Sequence, residues 1–368
     1  MTLDLILVGF GNVGRRFATL VHEQRRRLAR DHDLVLRIVA IVTRRHDRAY
    51  SARGLDANAR ARARSGRVST VGATDDSSAN ELLHDALRKS AAAARERRLV
   101  VVETTTLDIA RGEPAIAHVR AALAGGAHVV TANKGPAAFA YHALARAAAR
   151  ADRRFLFEGA VMDGVPIFNL ARETLPAVSI IGFRGVVNST TNYILSALEN
   201  GQPFDRALRD MQTMGIAEAD ASLDLDGWDA AAKTAALANV LLGAKLTPHQ
   251  VERQGISADI GARAVDVRRA GGRLKLVARA TRERSLVVAR VAPEELAGGD
   301  PLAVLDGQQN ALILQTDLLG EIAMVQLSGD LTQTAYALLS DLVTIARDVR
   351  NARDAGRSPR RARQGRSR

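Results

Sequence analysis

The chain has no cysteine among its 368 residues. Disulfide frameworks, thiolate metal sites and a cysteine nucleophile are therefore excluded, and the absence fits a reducing compartment such as the cytoplasm. Long apolar runs are missing too. No uninterrupted stretch approaches the roughly 20 residues that a membrane helix needs, so no membrane partner is expected. The opening Met1-Thr2-Leu3-Asp4 carries no basic segment, and its apolar run stops at Gly9; it reads as a first strand rather than a secretory leader. Lysine is scarce, with five (Lys89, Lys134, Lys233, Lys245, Lys275) against 47 arginines. Arginine serves here wherever a plain positive charge suffices. The remaining lysines are enriched for positions that need an amine of tunable pKa, although each has a plain surface reading as well.

The rest of the composition is that of a globular protein with room for two domains and a sizeable core, 47% hydrophobic and 25% charged. The net charge of +12 raises the question of nucleic acid, and its distribution answers it. Residues 350–368 hold eight arginines and one acid, Asp354, and so carry +7, leaving +5 for the other 349 residues. This Gly-, Ser- and Pro-containing tail is expected to be disordered. Without aromatics among its arginines it offers no stacking platform for bases. No nucleic-acid partner is expected; a solvated extension is the plain reading, and salt-dependent contact with a polyanion the alternative.

Residues 1–155 alternate β-branched runs with helical stretches. Strands are expected at Leu3–Val8, Leu34–Thr43, Leu99–Glu103, Val129–Thr131 and Phe155–Glu158, and helices at Asn12–Arg30, Ala79–Arg95, Glu113–Ala124 and Ala137–Arg150. That alternation predicts α/β architecture: a doubly wound parallel sheet of the Rossmann type. Residues 51–68 read as a short helix or a loop. After Pro166 the pattern becomes α+β. Strands are expected at Ser179–Val187, Leu274–Ala280, Leu286–Val291 and Ala311–Gln315, and helices at Asn192–Asn200, Phe204–Met214 and Trp228–Leu242. This gives a second domain over 156–333, a helix within 334–349 (Thr334–Asp348) returning to the first domain, and the tail at 350–368.

The run Leu5-Ile6-Leu7-Val8 leads straight into Gly9-Phe10-Gly11-Asn12-Val13-Gly14, and a helix follows. In this G-x-G-x-x-G context Gly9 permits the tight turn, Gly11 a close approach of backbone to a pyrophosphate, and Gly14 close helix–strand packing. A glycine-rich turn without ligand is the plain alternative. The second strand ends Ile41-Val42-Thr43-Arg44-Arg45, with no carboxylate at its tip. A carboxylate there would favour NAD; guanidiniums at Arg44 and Arg45 suit the 2′-phosphate of NADP. Asp47 is the nearest acid and keeps NAD possible.

Five carboxylates lie between Glu218 and Asp229, just before an Ala-rich helix. Asp229 and Lys233 are four apart and share a helical face, where a surface ion pair is the ordinary reading. Reduction of an aldehyde needs a proton donor for the developing alkoxide, and a lysine whose pKa is lowered by burial can supply one. Carboxylates can hold a substrate ammonium. A second lysine stands in Thr131-Ala132-Asn133-Lys134-Gly135-Pro136, after a parallel strand's carboxyl end, where open α/β sheets bind ligands. A phosphate clamp or a plain surface residue is the alternative for Lys134.

These segments, with Glu158-Gly-Ala-Val-Met-Asp-Gly-Val-Pro166 and Asn188-Ser-Thr-Thr-Asn-Tyr-Ile-Leu195, resemble homoserine dehydrogenases over about residues 3–348. The resemblance implies NAD(P)-dependent interconversion of L-homoserine and L-aspartate 4-semialdehyde, in the biosynthesis of threonine, methionine and isoleucine, by a cytoplasmic homodimer. It implies Lys233 and Lys134 as catalytic lysines at the reacting oxygen. Asp229 would act with them and hold substrate alongside Glu218, Asp224 and Thr190. Gly9, Phe10, Gly11, Asn12, Val13, Gly14, Arg44, Arg45, Thr104 and Lys134 would bind the cofactor. Glu158, with backbone carbonyls of Val161, Asp163 and Val165, would hold a monovalent cation, usually sodium; a buried acid satisfied by backbone amides is the alternative for Glu158.

The sequence departs from the family in three places. Ser189 replaces a glycine. Gln326-Leu327-Ser328-Gly329-Asp330 stands where the family has Gly-x-Gly-Ala-Gly beside the nicotinamide. No length remains after Asp348 for a regulatory domain, so threonine feedback through one is not expected. The second departure motivates an alternative of another class, a non-catalytic dinucleotide-binding sensor.

Overall fold

The computed structural model of the chain describes residues 1–43, 49–55, 79–93, 98–214 and 220–357. Arg44, Arg45, Asp47, Glu218, most of the 51–68 stretch and residues 358–368 lie outside the described residues.

The first part runs β1 (Thr2–Val8), α1 (Asn12–His32), β2 (Val35–Val42), β3 (Ala49–Tyr50), α2 (Ala79–Ala93), β4 (Leu99–Glu103), α3 (Ala115–Ala124), β5 (His128–Thr131), α4 (Gly135–Ala151) and β6 (Phe155–Leu156). Its sheet has the order β3-β2-β1-β4-β5-β6 and is parallel except for the two-residue β3. Strand order reverses between β1 and β4, which opens a crevice at their carboxyl ends. Leu3, Leu5 and Leu7 of β1 face α1, while Ile6 and Val8 face the α2–α4 side. Both faces are covered, so the strand reads as an unbroken apolar run rather than an alternating one.

The second part holds α5 (Ile167–Glu173), β7 (Ile180–Val186), α6 (Ser189–Glu199), α7 (Phe204–Thr213), α8 (Ser222–Leu225), α9 (Trp228–Leu241), β8 (Glu252–Arg253), α10 (Ile260–Arg269), β9 (Arg273–Glu283), β10 (Leu286–Leu296), β11 (Asn310–Thr316), β12 (Gly320–Gln326) and α11 (Leu331–Arg357). The second sheet has the order β12-β11-β7-β9-β10-β8, antiparallel apart from the β8–β10 pair.

Several differences from the sequence reading have physical reasons. Helix α6 begins at Ser189 rather than Asn192, because the Asn188 side chain accepts the Thr191 N–H at 2.8 Å and caps it. Strand β10 continues through Pro293 to Leu296; its pairing with β8 covers only Arg290 and Val291, so no ladder on that side meets the missing N–H. Helix α11 is longer at both ends than Thr334–Asp348, and residues 350–357 are helical where disorder was expected. Arg350 donates to the carbonyl of His32, the last residue of α1, at 2.6 Å, a placement of cation that a helix C-terminus favours. Leu338, Leu342 and Ile345 of α11 pack with Phe17, Leu20 and Val21 of α1 over the first sheet.

Helices α4 and α9 join the two sheets. Both are rich in alanine, and Ala137, Ala138 and Ala148 of α4 share an apolar cluster with Ala231, Ala235 and Ala238 of α9. Small side chains let the two helices approach closely. Asn239 of α9 pins them: its Nδ2 donates to the carbonyls of Ala137 at 3.2 Å, Ala138 at 3.1 Å and Leu246 at 2.8 Å, and its Oδ1 accepts the Leu246 N–H at 2.8 Å. Asn239→Ala leaves these buried groups unpaired. It is expected to lower the free energy of unfolding by about 3 kcal/mol, read from denaturant titration.

Candidate active site

The crevice above β1 and β4 is built from glycine geometry. Gly9 has φ +86°, and a Cβ there would stand 2.8 Å from the backbone carbon of Thr104. A Cβ on Gly14 would meet the Gly9 carbonyl oxygen at 2.9 Å, so helix α1 can lie this close to the turn only without a side chain. Gly11, by contrast, has nothing within 4 Å of its would-be Cβ. That open space lies where α1 starts, with Gly11 as its N-cap, and free N–H groups there suit a phosphate. Phe10 is buried, whereas Asn12, which opens the helix, is exposed and Val13 half-buried. Thr104, from the end of β4, donates through Oγ1 to the Gly9 carbonyl at 3.1 Å and braces the turn. The residues fit a dinucleotide pyrophosphate.

Lys134 and Lys233 meet on one carboxylate. Lys134 is the residue before α4, and Pro136 follows in its first turn. Asp229 sits in the first turn of α9 and Lys233 one turn later. Lys134 Nζ lies 3.2 Å from Asp229 Oδ1, and Lys233 Nζ lies 2.9 Å from Asp229 Oδ2. Lys233 Nζ also donates to the Val187 carbonyl at 2.6 Å. Asn188 then ties in a second acid: its Nδ2 donates to Asp224 Oδ1 at 2.7 Å and to Asp229 Oδ2 at 2.9 Å. Buried Thr190 also hydrogen-bonds Asp224. The two lysines, Asp224, Asp229 and Thr190 thus share one site. Glu218 lies outside the described residues.

The charges in this cluster reorder the expected titration. Burial pushes the Lys233 amine down, but Asp229, with Asp163 and Asp224 farther out, overcomes it and holds the ammonium above the ordinary 10.5. The expectation that burial lowers this lysine is therefore corrected: its contact with a carboxylate outweighs desolvation. At Asp229 burial raises the carboxyl, and Lys233 and Lys134 reverse that and hold it well below the usual range. Asp224 is raised, first by burial and then by the charge of Asp229.

Sequence reasoning gave Asn188 no role of its own, although an Asn just before a helical run signals a cap. Nor did it single out Arg253, whose guanidinium stacks 3.8 Å above the Trp228 ring and donates to the Asp226 carbonyl. That contact braces the turn between α8 and α9, where Gly227 has φ +77°.

Glu158 is buried. Its Oε1 accepts the Phe168 N–H at 2.8 Å and its Oε2 the Asn169 N–H at 2.7 Å, while its own N–H donates to Asp341 Oδ2 at 3.0 Å. Burial pushes the carboxyl of Glu158 up to about 6. Burial, aided by the nearby Glu158, pushes Asp341 up to about 7. Met162 and Asp163 follow with φ 51° and 50°, and Asp163 accepts from Gln326 Nε2 at 2.9 Å and Thr334 Oγ1 at 2.8 Å. The Val165 carbonyl accepts the Ile167 N–H at 2.9 Å. Among the described residues no group of three or more His, Cys, Asp or Glu could hold a metal ion. A carboxylate with backbone carbonyls is a different, oxygen-only donor set, of the kind that suits a hard monovalent cation.

The 326–330 element is held by side chains. Asp330 Oδ1 accepts the N–H groups of Thr332 at 2.8 Å and Gln333 at 3.0 Å and so caps α11. Ser189 Oγ accepts Asn310 Nδ2 at 2.8 Å, and the same amide donates to Gln326 Oε1 at 3.1 Å.

Two family models match the chain: one described as homoserine dehydrogenase over residues 166–343, and one as the NAD binding domain of homoserine dehydrogenase over residues 9–158. The NAD(+)-dependent homoserine dehydrogenase of Pseudomonas canavaninivorans is 37% identical over 346 residues, 93% of this chain and 95% of that protein. The homoserine dehydrogenase of Methanocaldococcus jannaschii is 32% identical over 346 residues, 93% of this chain and 98% of that protein. Among solved structures, a homoserine dehydrogenase from Thiobacillus denitrificans superposes with a TM-score of 0.78 at 28% identity, covering 98% of this chain and 76% of that one.

If Asp229 is what keeps the Lys233 ammonium charged, Asp229→Asn leaves burial unopposed at close range. The Lys233 pKa is then expected to fall below 10.5, measured by NMR titration of the lysine side chains; a value unchanged from wild type would contradict this account.

Proposed function

This chain belongs to the homoserine dehydrogenase family, and we propose that it interconverts L-homoserine and L-aspartate 4-semialdehyde with a nicotinamide dinucleotide, within biosynthesis of aspartate-family amino acids in the cytoplasm. The observation that carries the reading is the single carboxylate of Asp229 held between the ammonium groups of Lys134 and Lys233, in a chain whose glycine turn is fit for a pyrophosphate. A bound nicotinamide supplies the hydride acceptor or donor at the substrate carbon. Lys233, kept protonated by Asp229, gives a proton to the carbonyl oxygen in the reducing direction. Lys134 places a second positive charge at that oxygen, where charge develops. Asp224 and Glu218 hold the substrate ammonium. In the oxidising direction an amine must first lose its proton, so turnover of homoserine rises through the alkaline range.

For the cofactor we favour NADP, on the grounds that Arg44 and Arg45 follow β2 and no carboxylate stands at its tip. The name of the Pseudomonas relative sets NAD against this reading. For assembly we favour a homodimer through the second domain; Val325 and Leu327, at and beyond the end of edge strand β12, and Tyr336 of α11 are exposed. For the cation we favour sodium at Glu158 and the carbonyls of Val161, Asp163 and Val165, an oxygen-only set around a buried carboxyl; the Phe168 and Asn169 amides on that carboxyl support the alternative of an acid satisfied by backbone.

Lys233→Ala is expected to lower kcat by about a thousandfold with its thermal unfolding midpoint retained. Turnover near wild type, followed by nicotinamide absorbance with NADP and NAD in parallel, would remove Lys233 from the chemistry. Preference for NAD would discard the reading of Arg44 and Arg45 and leave the rest standing.

Glu158 and Asp341 have folded-state values of about 6 and about 7, above those of the unfolded chain. Their protonation favours the fold at low pH, and that stability is lost as pH rises through 6 and 7. In tetramethylammonium buffer the unfolding midpoint is therefore expected to fall from about pH 5 to about pH 8. Sodium should raise it more at the higher pH; equal effects at both would argue against a cation at Glu158.

A further inference from the structure

One buried carboxylate takes no part in the chemistry yet lies beneath both halves of it. Glu103 ends β4 and is fully buried. Its Oε1 accepts the Thr105 N–H at 3.0 Å and the Thr105 hydroxyl, and its Oε2 accepts the Thr131 hydroxyl at 2.8 Å. Thr131 Oγ1 in turn accepts the Asn133 N–H at 2.9 Å. The Asn133 side chain closes the circuit. Its Nδ2 donates to the carbonyls of Thr105 at 2.9 Å and Thr106 at 3.3 Å, and its Oδ1 accepts the Gly135 N–H at 2.8 Å. Both chain neighbours of Lys134 are thereby pinned. The adjoining Thr104 braces the glycine turn through the Gly9 carbonyl. Loop 104–106 thus connects the cofactor turn to the lysine turn, and Glu103 anchors it.

The chemistry of the circuit selects a carboxylate. Thr131 Oγ1 receives the Asn133 N–H and donates to Glu103, and Thr105 presents two donors to the same side chain. Position 103 accepts in each of these contacts, and ionised Glu does so with both oxygens. An isosteric Gln would turn an NH₂ toward a hydroxyl that is already donating. A buried carboxylate with no Arg or Lys partner among these contacts is expensive to retain, and a purely structural position would be filled at lower cost by an apolar side chain. His118, also buried, brings Nδ1 to 3.6 Å from Glu103 Oε1, within ion-pair distance when its ring is protonated.

We infer that Glu103 is a positioning residue for the reaction: through Thr131 and Asn133 it sets where Lys134 places its ammonium relative to the cofactor turn at Gly9 and Thr104. The inference rests on the reading of Lys134 as a group acting at the reacting oxygen.

Thr131→Val tests it in the full-length enzyme, because it exchanges a hydroxyl for a methyl of the same shape and breaks the circuit between Glu103 and Asn133. The kcat for homoserine oxidation is expected to fall about tenfold, as a small misplacement of a catalytic group does, while the cofactor KM stays within about twofold of wild type. Thr131→Ser restores the hydroxyl and should restore kcat, and Glu103→Gln should behave like Thr131→Val. Thermal unfolding of each variant shows whether it is folded. Unchanged kcat in Thr131→Val and Glu103→Gln, with Lys134→Ala inactive, overturns the positioning role. So does a loss in Thr131→Val that Thr131→Ser shares. Full turnover in Lys134→Ala overturns instead the reading of Lys134 on which the inference stands.

Discussion

The site depends on one contact: the Asp229 carboxylate, with an ammonium on each oxygen, Lys134 at 3.2 Å and Lys233 at 2.9 Å. The two lysines come from different parts of the chain, one before α4 under the first sheet and one from α9 under the second. Their meeting is decided by the packing of α4 against α9. Alanines bring the helix axes close and Asn239 fixes their register, with three carbonyls on its amide nitrogen. Larger side chains there would separate the helices and with them the charges. The same contact sets protonation, since a carboxylate shared by two cations stays ionised and keeps its lysine charged despite burial.

Beside the site this chain carries a line of amides, hydroxyls and one carboxylate. Ser189, Asn310, Gln326, Asp163 and Thr334 are joined end to end by hydrogen bonds of 2.8 to 3.1 Å. Asn310 thus links Ser189 and Gln326, which lie at the two places where the sequence reading expected departures from the family. Asp163 holds a left-handed backbone at φ 50°, a region that Asp enters more readily than most non-glycine residues. Its side chain there accepts two hydrogen bonds.

Much of this was legible in the sequence where the signal was local. Strand, glycine turn and helix at 3–32 follow one another with spacings that allow one arrangement. The scarcity of lysine also proved informative. Lys134 and Lys233 lie on the site carboxylate, and Lys275 is wholly buried, donating to Asn192, Ser196 and the Leu305 carbonyl, with burial pulling its pKa down to about 8. Lys89 is an ordinary pair with Asp85 on a helix surface. Acidic residues were less readable one by one. Of the segment's carboxylates, Asp224 and Asp229 are drawn together, while Asp220 turns back onto the Ser222 N–H. Glu103 and Asn188 escaped because their partners lie 28, 36 and 41 residues away. Strand β12 escaped because an edge strand with one exposed face carries little apolar pattern.

Helix α11 gives the fold an order in time. One whole face of the first sheet, including Leu5, Leu7, Val100, Val102 and Val130, is covered by α1 and by the last described helix of the chain together. On the ribosome, the strands of that sheet are complete long before residues 331–357 emerge. Until then α1 alone covers that face, which leaves aliphatic surface open to other chains. Its closure waits until residues 331–357 have emerged.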